Sequence, residues 1–523
     1  MGRLGLLLPA LLALRLPIGA GGDALPEPLR TRLDTIVVDD LKRHETFLTS
    51  EECAGRDTPQ AGLNKARDYL VDHHRKFGLT SGSLDDTYLF EFEVPAVTWS
   101  DDDNLAVVKG PGANASDDVE VYLPGIDFVP VRGSASGTVE GEVVFCGYGI
   151  SDVEERYDDF KGVDVKDRIV AVLLHEPREG KKGRAFKGEE WTPHGSITSK
   201  WKSAEEHGAK AVLVFTDPVN HKDLSVLKGE YPRYGSLADR RGGGPKIPVV
   251  HASSAVGNQL FGAGKLLEWQ KALDQKLAGA PKKVADRRVR LKLALHDASV
   301  KVHDVVAAKR GVDPELRNEW VVIGAHYDHV GVDDYGRIFH GADDNGSGTS
   351  CLLEIAEAIA PPEVTFKRSL LLIHFAGEEK GLLGAAAFCK KPLFAADKML
   401  AMVNMDMVGR GRPHDIDAAG LANSTDFQAL VRKATTLSRA RIKVGDGGMQ
   451  FFQRSDQFEF WRLGVPVLFF MEPEEHADYH KVTDTMDKIV FGKIVETAKV
   501  VTALAWLIAE ADRRPRQEGI SGK

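Results

Sequence analysis

Two acids stand side by side at Glu378-Glu379, in the run His374-Phe-Ala-Gly-Glu-Glu-Lys-Gly-Leu-Leu-Gly384. The residues before them, Arg368 to Phe375, are almost continuously apolar and predict a buried strand. Gly377 ends that strand, and Gly381 and Gly384 allow a tight turn after it. Adjacent carboxylates at the end of a buried strand raise each other's pKa, and loss of water raises both further. A metal ion relieves the conflict, with one acid as ligand and the other left as a base. Taken alone, such a pair is most often two solvated surface acids, so its meaning rests on what accompanies it.

The company is rich in metal-ligating types. His326-Tyr-Asp328, Gly341-Ala-Asp343-Asp344-Asn345-Gly-Ser-Gly348, Asn404-Met-Asp406 and Tyr479-His480-Lys-Val-Thr-Asp484 each lie within or just beyond a segment that reads as strand or turn. In α/β sheets, ligands bind beyond the carboxyl ends of the strands. The glycine-rich loop could approach a phosphate, but its two aspartates repel one and suit a cation. Imidazole and carboxylate without sulfur fit zinc or a similar borderline metal. Two histidines with three or four carboxylates exceed the needs of one catalytic ion and suffice for two sharing an aspartate. Asp328 is placed to accept the other ring N–H of His326 and fix its tautomer. His329, His340 and His374 are expected not to be ligands, His374 being a core residue of its strand.

Stepping outward, strand-like segments at Trp320–Ala325, Arg368–Phe375, Leu400–Met405 and Val465–Met471 alternate with helical ones at Thr349–Ile359, Thr425–Ser438 and Lys493–Ala511. That rhythm predicts an α/β fold with a largely parallel sheet covered on both faces. Gln60–Phe77 is a further helix, stopped by Gly78. From about residue 115 to 287 short β-like runs and Gly/Pro/Asp-rich loops replace the rhythm, and no ligand cluster stands out. This region reads as a β-rich, non-catalytic insertion. Residues 25–114 and 288–512 form the main domain, and 513–523 a flexible polar tail.

Composition excludes several classes. The chain has 523 residues, 43% hydrophobic and 28% charged, with net charge −9. It can build sizeable cores but offers no basic surface for nucleic acid. Four cysteines without Cys-x-x-Cys spacing make neither a disulfide framework nor a thiolate metal site. Arg3 followed by the apolar run Leu4–Leu14 and small residues at 19–22 reads as a signal peptide over 1–24. That run is too short to span a bilayer, so a secreted or periplasmic protein without a membrane span is expected. No signal fixes an oligomeric state.

The ordered set His326-x-Asp328, Gly341-Ala-Asp-Asp344-Asn, Glu378-Glu379, Asn404-Met-Asp406 and His480 resembles the co-catalytic zinc aminopeptidases, the superfamily of bacterial leucyl aminopeptidase, aminopeptidase Y and glutamate carboxypeptidase. The runs Asp158–Asp164, Ile169–Leu174 and Gly208–Val212 resemble a protease-associated (PA) domain. The resemblance implies a three-layer α/β/α zinc-peptidase fold with an inserted PA domain. It implies two zinc ions bridged by Asp344, one completed by His326 and Asp406 and the other by Glu379 and His480. It further implies peptide substrates, a water attacking from between the metals, Glu378 as general base, and Asp328 behind His326. Met449, Phe451, Phe452 and Asp456 are expected to line the substrate pocket. Where related enzymes often carry Ser-Asp-His, this chain has Ser455-Asp456-Gln457. Arg410, Arg412 and Arg454 could instead meet a terminal carboxylate, so carboxypeptidase or dipeptidase activity is the alternative. A glutaminyl-cyclase-like transferase and a non-catalytic receptor-like ectodomain are more distant ones.

Overall fold

The computed structural model describes residues 18–19, 22–100, 102–109, 119–179, 186, 192–222, 233–235, 244–277, 282–333 and 335–519. Four strands of the larger sheet set the site. Ser369–Phe375, Trp320–His326, Met399–Met405 and Val467–Met471 lie parallel in that spatial order. Each is buried along its whole length, which is why the sequence shows unbroken apolar runs rather than alternation. Antiparallel strands flank them, His296–Lys309 and Leu89–Thr98 on one side and Asp415–Ala419 on the other.

Successive side chains leave a strand on opposite faces, so these strands feed two cores. Val321, Ile323, Leu370 and Leu372 pack with helices Ala61–Phe77, Gly348–Ile359 and Phe491–Ala509. Val322, Leu371 and Ile373 pack with Phe388 of helix Leu383–Lys390 and Phe460 of helix Gln457–Arg462. The result is the expected three-layer α/β/α fold with a mixed sheet, parallel at its centre. Register aligns the strand ends: His326 stands opposite Phe375, and Gly324 opposite Asn404, itself opposite Phe469. The loops that carry polar residues therefore leave from one edge.

A second sheet of eight strands runs from Asn104–Lys109 to Lys282–Leu293, and these two strands pair antiparallel. Its span is wider than the 115–287 expected for the insertion. The chain enters and leaves it on neighbouring strands, whose sequence pattern resembles that of the strands outside. Helices Ser254–Phe261 and Lys265–Lys276 cover one face and Ile197–Glu206 the other. A two-residue strand, Arg233–Tyr234, reaches back to pair with Leu89–Thr98 at the edge of the larger sheet.

Of the tail expected to be flexible, 513–523, residues 520–523 lie outside the described residues, and the rest is bonded to the main domain. Arg513 pairs with Asp426, the Arg516 N–H donates to the same carboxylate (2.8 Å), and the Gln517 amide bonds Gly420 and Val467. Polarity here marks a hydrogen-bonded strap. The leader-like residues 1–17 and 20–21 lie outside the described residues, among which no helix is long and apolar enough to cross a membrane.

His374 is the core histidine expected, its Nε2 lying 3.0 Å from Nε2 of His74. Burial holds both rings neutral, pushing His74 down to about 3. An unfolded histidine titrates near 6.5, so below that pH the unfolded chain takes up the extra proton and gains on the fold. His74→Gln removes the share of this acid sensitivity that belongs to His74. Urea midpoints should show the variant improving against the parent by about 2 kcal/mol between pH 7 and pH 5. An unchanged difference would mean that folding does not depress His74.

Candidate metal centre

The centre is assembled from loops leaving the aligned strand ends. His326 is the last residue of its strand, and Asp406 follows directly on Met405. Glu378 and Glu379 open a single helical turn after Gly377, whose φ of 72° suits glycine. Asp344 lies in the buried loop that begins at Gly341 (φ 58°) and feeds helix Gly348–Ile359. His480 adopts φ 50°, rare for a non-glycine residue, on the loop after Met471.

These side chains form two donor sets that share Asp344. Its Oδ1 lies 3.5 Å from His326 Nε2, which is 3.2 Å from Asp406 Oδ1. Its Oδ2 lies 3.1 Å from His480 Nε2, which is 2.9 Å from Glu379 Oε2. His326 Nε2, Asp406 Oδ1, Asp344 Oδ2 and His480 Nε2 are all buried and make no hydrogen bond. Buried polar atoms are nearly always paired. Here they face one another at the edge length, about 3.3 Å, of a tetrahedron of nitrogen and oxygen around zinc. The donor set fits two borderline divalent ions. Glu378 belongs to neither set and stands beside the first, with Oε2 3.9 Å from His326 Nε2.

Supporting contacts differ from the sequence reading in two places, at Asp328 and at His329. His326 Nδ1 bonds the main-chain carbonyl of Asp328 (3.2 Å), whereas the Asp328 carboxylate is 3.6 Å away, too far for a hydrogen bond. That carboxylate instead accepts the Glu378 N–H (3.1 Å) and the Thr58 hydroxyl (3.2 Å), and so orients the turn carrying Glu378. His329, expected to stand apart, belongs to the second donor set through Nδ1, 2.8 Å from Glu379 Oε1. Only its position three residues after His326 hinted at this. Asp343 lies outside both sets, accepting the Gly409 N–H (2.7 Å) with His476 Nε2 3.1 Å from its other oxygen. Asp484 accepts the N–H groups of Asp343 and Asp344.

Sequence reasoning missed Arg56 altogether. Its buried guanidinium donates to the carbonyls of Leu48, Tyr327, His340 and Gly341, tying together the segments on either side of the ligand loops. Nothing in the local sequence reveals contacts some 270 residues away. Arg56→Met leaves several buried carbonyls unpaired and should cost about 3 kcal/mol or more of stability. It should also weaken metal binding by about 10-fold or more. Urea unfolding and competitive metal titration measure the two effects.

The electrostatics separate the paired acids. Burial pushes Glu378 well above the usual carboxylate range, with Glu379, Asp406 and Asp456 adding repulsion against the pull of His326. Burial opposes ionisation of Glu379 as well, yet the hydrogen bond with His329 and the charge of the two imidazoles, His329 and His480, hold it well below that range. Asp344 is raised to about 6, by burial and then by Glu379. Burial disfavours charge on His480, but Asp344 and Glu379 carry it up to about 10. The two neighbouring acids are thus driven in opposite directions, Glu379 toward the anion and Glu378 toward the protonated form.

A pocket opens over the centre, lined by Asp344, Glu378, Asp406, Phe451, Arg454, Phe469, Glu472, Glu474, Glu475 and Tyr479 among others. Of the expected pocket residues only Phe451 is there. Phe452 packs into the core against Trp461, and Met449 lies beside the Gly420 N–H. Asp456 is fully buried, with neither oxygen hydrogen-bonded. Phe452 and Asp456, at the ends of the turn Met449–Phe451 and of helix Gln457–Arg462, face the core, while Met449 is exposed. Gln457, in place of the family's histidine, accepts from Asn404 (2.8 Å) and so braces the strand before Asp406. Asn345 is fully buried, which rules out a glycan at its sequon. Arg410 is bound by Asp478 and Asp484, and Arg412 is exposed.

A three-layer sheet with two carboxylate–imidazole donor sets at its strand ends has the layout of a metal-dependent hydrolase domain. Residues 304–505 match the profile of peptidase family M28. The chain is similar to a probable leucine aminopeptidase of Arthroderma otae, 31% identical over 212 residues, 39% of this chain and 58% of that protein. It is 26% identical over 335 residues to aminopeptidase YwaD of Bacillus subtilis, 62% of each chain. It spans little more than half the length of the first fungal relatives it matches. Among solved structures, an aminopeptidase from Aneurinibacillus sp. strain AM-1 aligns over 96% of this chain and 98% of that one, at 20% identity and TM-score 0.46.

Proposed function

We propose that the chain is a zinc-dependent aminopeptidase that removes N-terminal residues from peptides, with Glu378 as general base. The observation that carries the reading is Asp344, whose two oxygens face His326 and His480 respectively, with Glu378 near His326 and lining the same pocket as Asp344 and Asp406. His326, Asp344 and Asp406 would hold one ion, and Asp344, Glu379 and His480 the other, with His329 orienting Glu379. When bound, the zinc ions supply Lewis acidity toward the scissile carbonyl and a water molecule. Glu378 takes a proton from the attacking water on its carboxylate and returns it to the departing amine, and burial, which favours its protonated form, helps it hold the proton between the two steps.

The pocket favours a substrate ammonium. Glu472, Glu474 and Glu475 line it, and its basic member Arg454 is already paired with Glu475 (3.0 Å). The arginines that could have served a terminal carboxylate, Arg410 and Arg412, are absent from the lining. The leader-like residues 1–24 support export to the periplasm or medium, and the second sheet is read as the PA domain. The test is a panel of matched peptides with free and acetylated amino termini, assayed with and without chelator. Cleavage of free-amine peptides alone, abolished by chelator, is expected; cleavage of the acetylated series at its carboxyl end would establish the carboxypeptidase alternative instead.

A further inference from the structure

We propose that the second sheet's domain carries its own divalent-cation site, of the zinc class, formed by His175 Nδ1, Glu179 Oε2, Asp217 Oδ1 and His221 Nε2. The four residues come as two pairs at i, i+4 spacing, His175/Glu179 and Asp217/His221, brought together from loops after the parallel strands Ile169–Leu173 and Ala211–Phe215. The sequence does not single them out, because each pair alone is an ordinary loop pattern.

The geometry points to a cation at the centre of the four. Each nitrogen lies near both oxygens: His175 Nδ1 is 2.6 Å from Asp217 and 3.2 Å from Glu179, and His221 Nε2 is 3.2 Å from Glu179 and 3.3 Å from Asp217. A ring nitrogen carries one proton and cannot satisfy two carboxylates well, whereas one cation satisfies all four atoms. Three of these distances match the edge of a tetrahedron around zinc, about 3.3 Å.

The surrounding bonds leave the inward atoms for that role. His175 bonds the Tyr335 carbonyl through Nε2 (2.9 Å), the contact that fixes a metal-binding tautomer with Nδ1 facing in. Asp217 Oδ2 accepts from the side-chain amides of Asn220 (2.9 Å) and Gln270 (2.9 Å), leaving Oδ1 to the centre. Two imidazoles favour a borderline metal over calcium or magnesium. Tyr335 belongs to the segment between His326 and Asp344, so the site ties the second domain to the chain joining two ligands of the first centre.

The test counts Zn2+ bound per full-length chain, by equilibrium dialysis and atomic absorption. Asp344→Ala, which disrupts the first centre, should leave one tightly held equivalent, and adding His221→Ala or, separately, Glu179→Gln should remove it. Circular dichroism establishes that each variant is folded. This readout is independent of peptidase activity, so the site and the proposed function fail separately. A folded Asp344→Ala chain that binds no Zn2+, or one whose equivalent survives both added substitutions, overturns the site and leaves a hydrogen-bonded imidazolium–carboxylate cluster.

Discussion

Glu378→Ala should keep the metals of the first centre and lose turnover by about 10²- to 10⁴-fold, the range of a general base. The expectation rests on position: Glu378 lies outside both donor sets, while its neighbour Glu379 lies 2.9 Å from His480 and 2.8 Å from His329. Glu379→Ala should therefore release metal as well as activity. Turnover of a free-amine peptide substrate and zinc content, measured on the same preparations, separate the two. If Glu378→Ala sheds metal and Glu379→Ala retains it, the roles are reversed. The difference between the two acids arises one residue apart, from which carboxylate the histidines reach.

Asp344→Ala should have a different signature, because one residue serves both donor sets. Measured in a His221→Ala background, so that only this centre is counted, the variant should lose both equivalents of zinc together. Turnover should fall to background, beyond the roughly 10⁴-fold of the base variant. Replacing a residue that serves one set, such as Asp406, should leave metal in the other. An Asp344→Ala chain that keeps one equivalent and measurable turnover would show that the aspartate does not bridge.

How much of this was legible in the sequence depends on the range of the interaction. His326, Glu378, Glu379 and Asp406 stand at a strand end or just after a glycine turn, Asp344 in a glycine-rich loop and His480 farther out on the loop after Met471, and strands buried on both faces announce themselves as apolar runs. Residues at such strand ends could be named as a group, and the structure brings all six together. Asp328 was expected in the right neighbourhood but with the wrong contact, since which of its oxygens meets His326 is settled by loop geometry of a few tenths of an ångström. The pocket expectations failed because Phe452 and Asp456 lie where the chain turns from a loop into helix Gln457–Arg462, and a shift of one residue there exchanges core for opening.

By itself the sequence determined the period of its elements, the parallel strands at the sheet's centre and the order of the ligating residues along it. These follow from local patterning and from polar residues placed where strands end. The tertiary structure alone decided the long-range matters. Arg56 gathers carbonyls from segments far apart in the chain, His329 is turned onto Glu379, and the two halves of the His175/His221 cluster meet across adjacent strands. It also decided that Glu378 and Glu379 differ. Their chemical identity is the same, and only the three-dimensional placement of imidazoles sets Glu379 within a donor set and leaves Glu378 outside both.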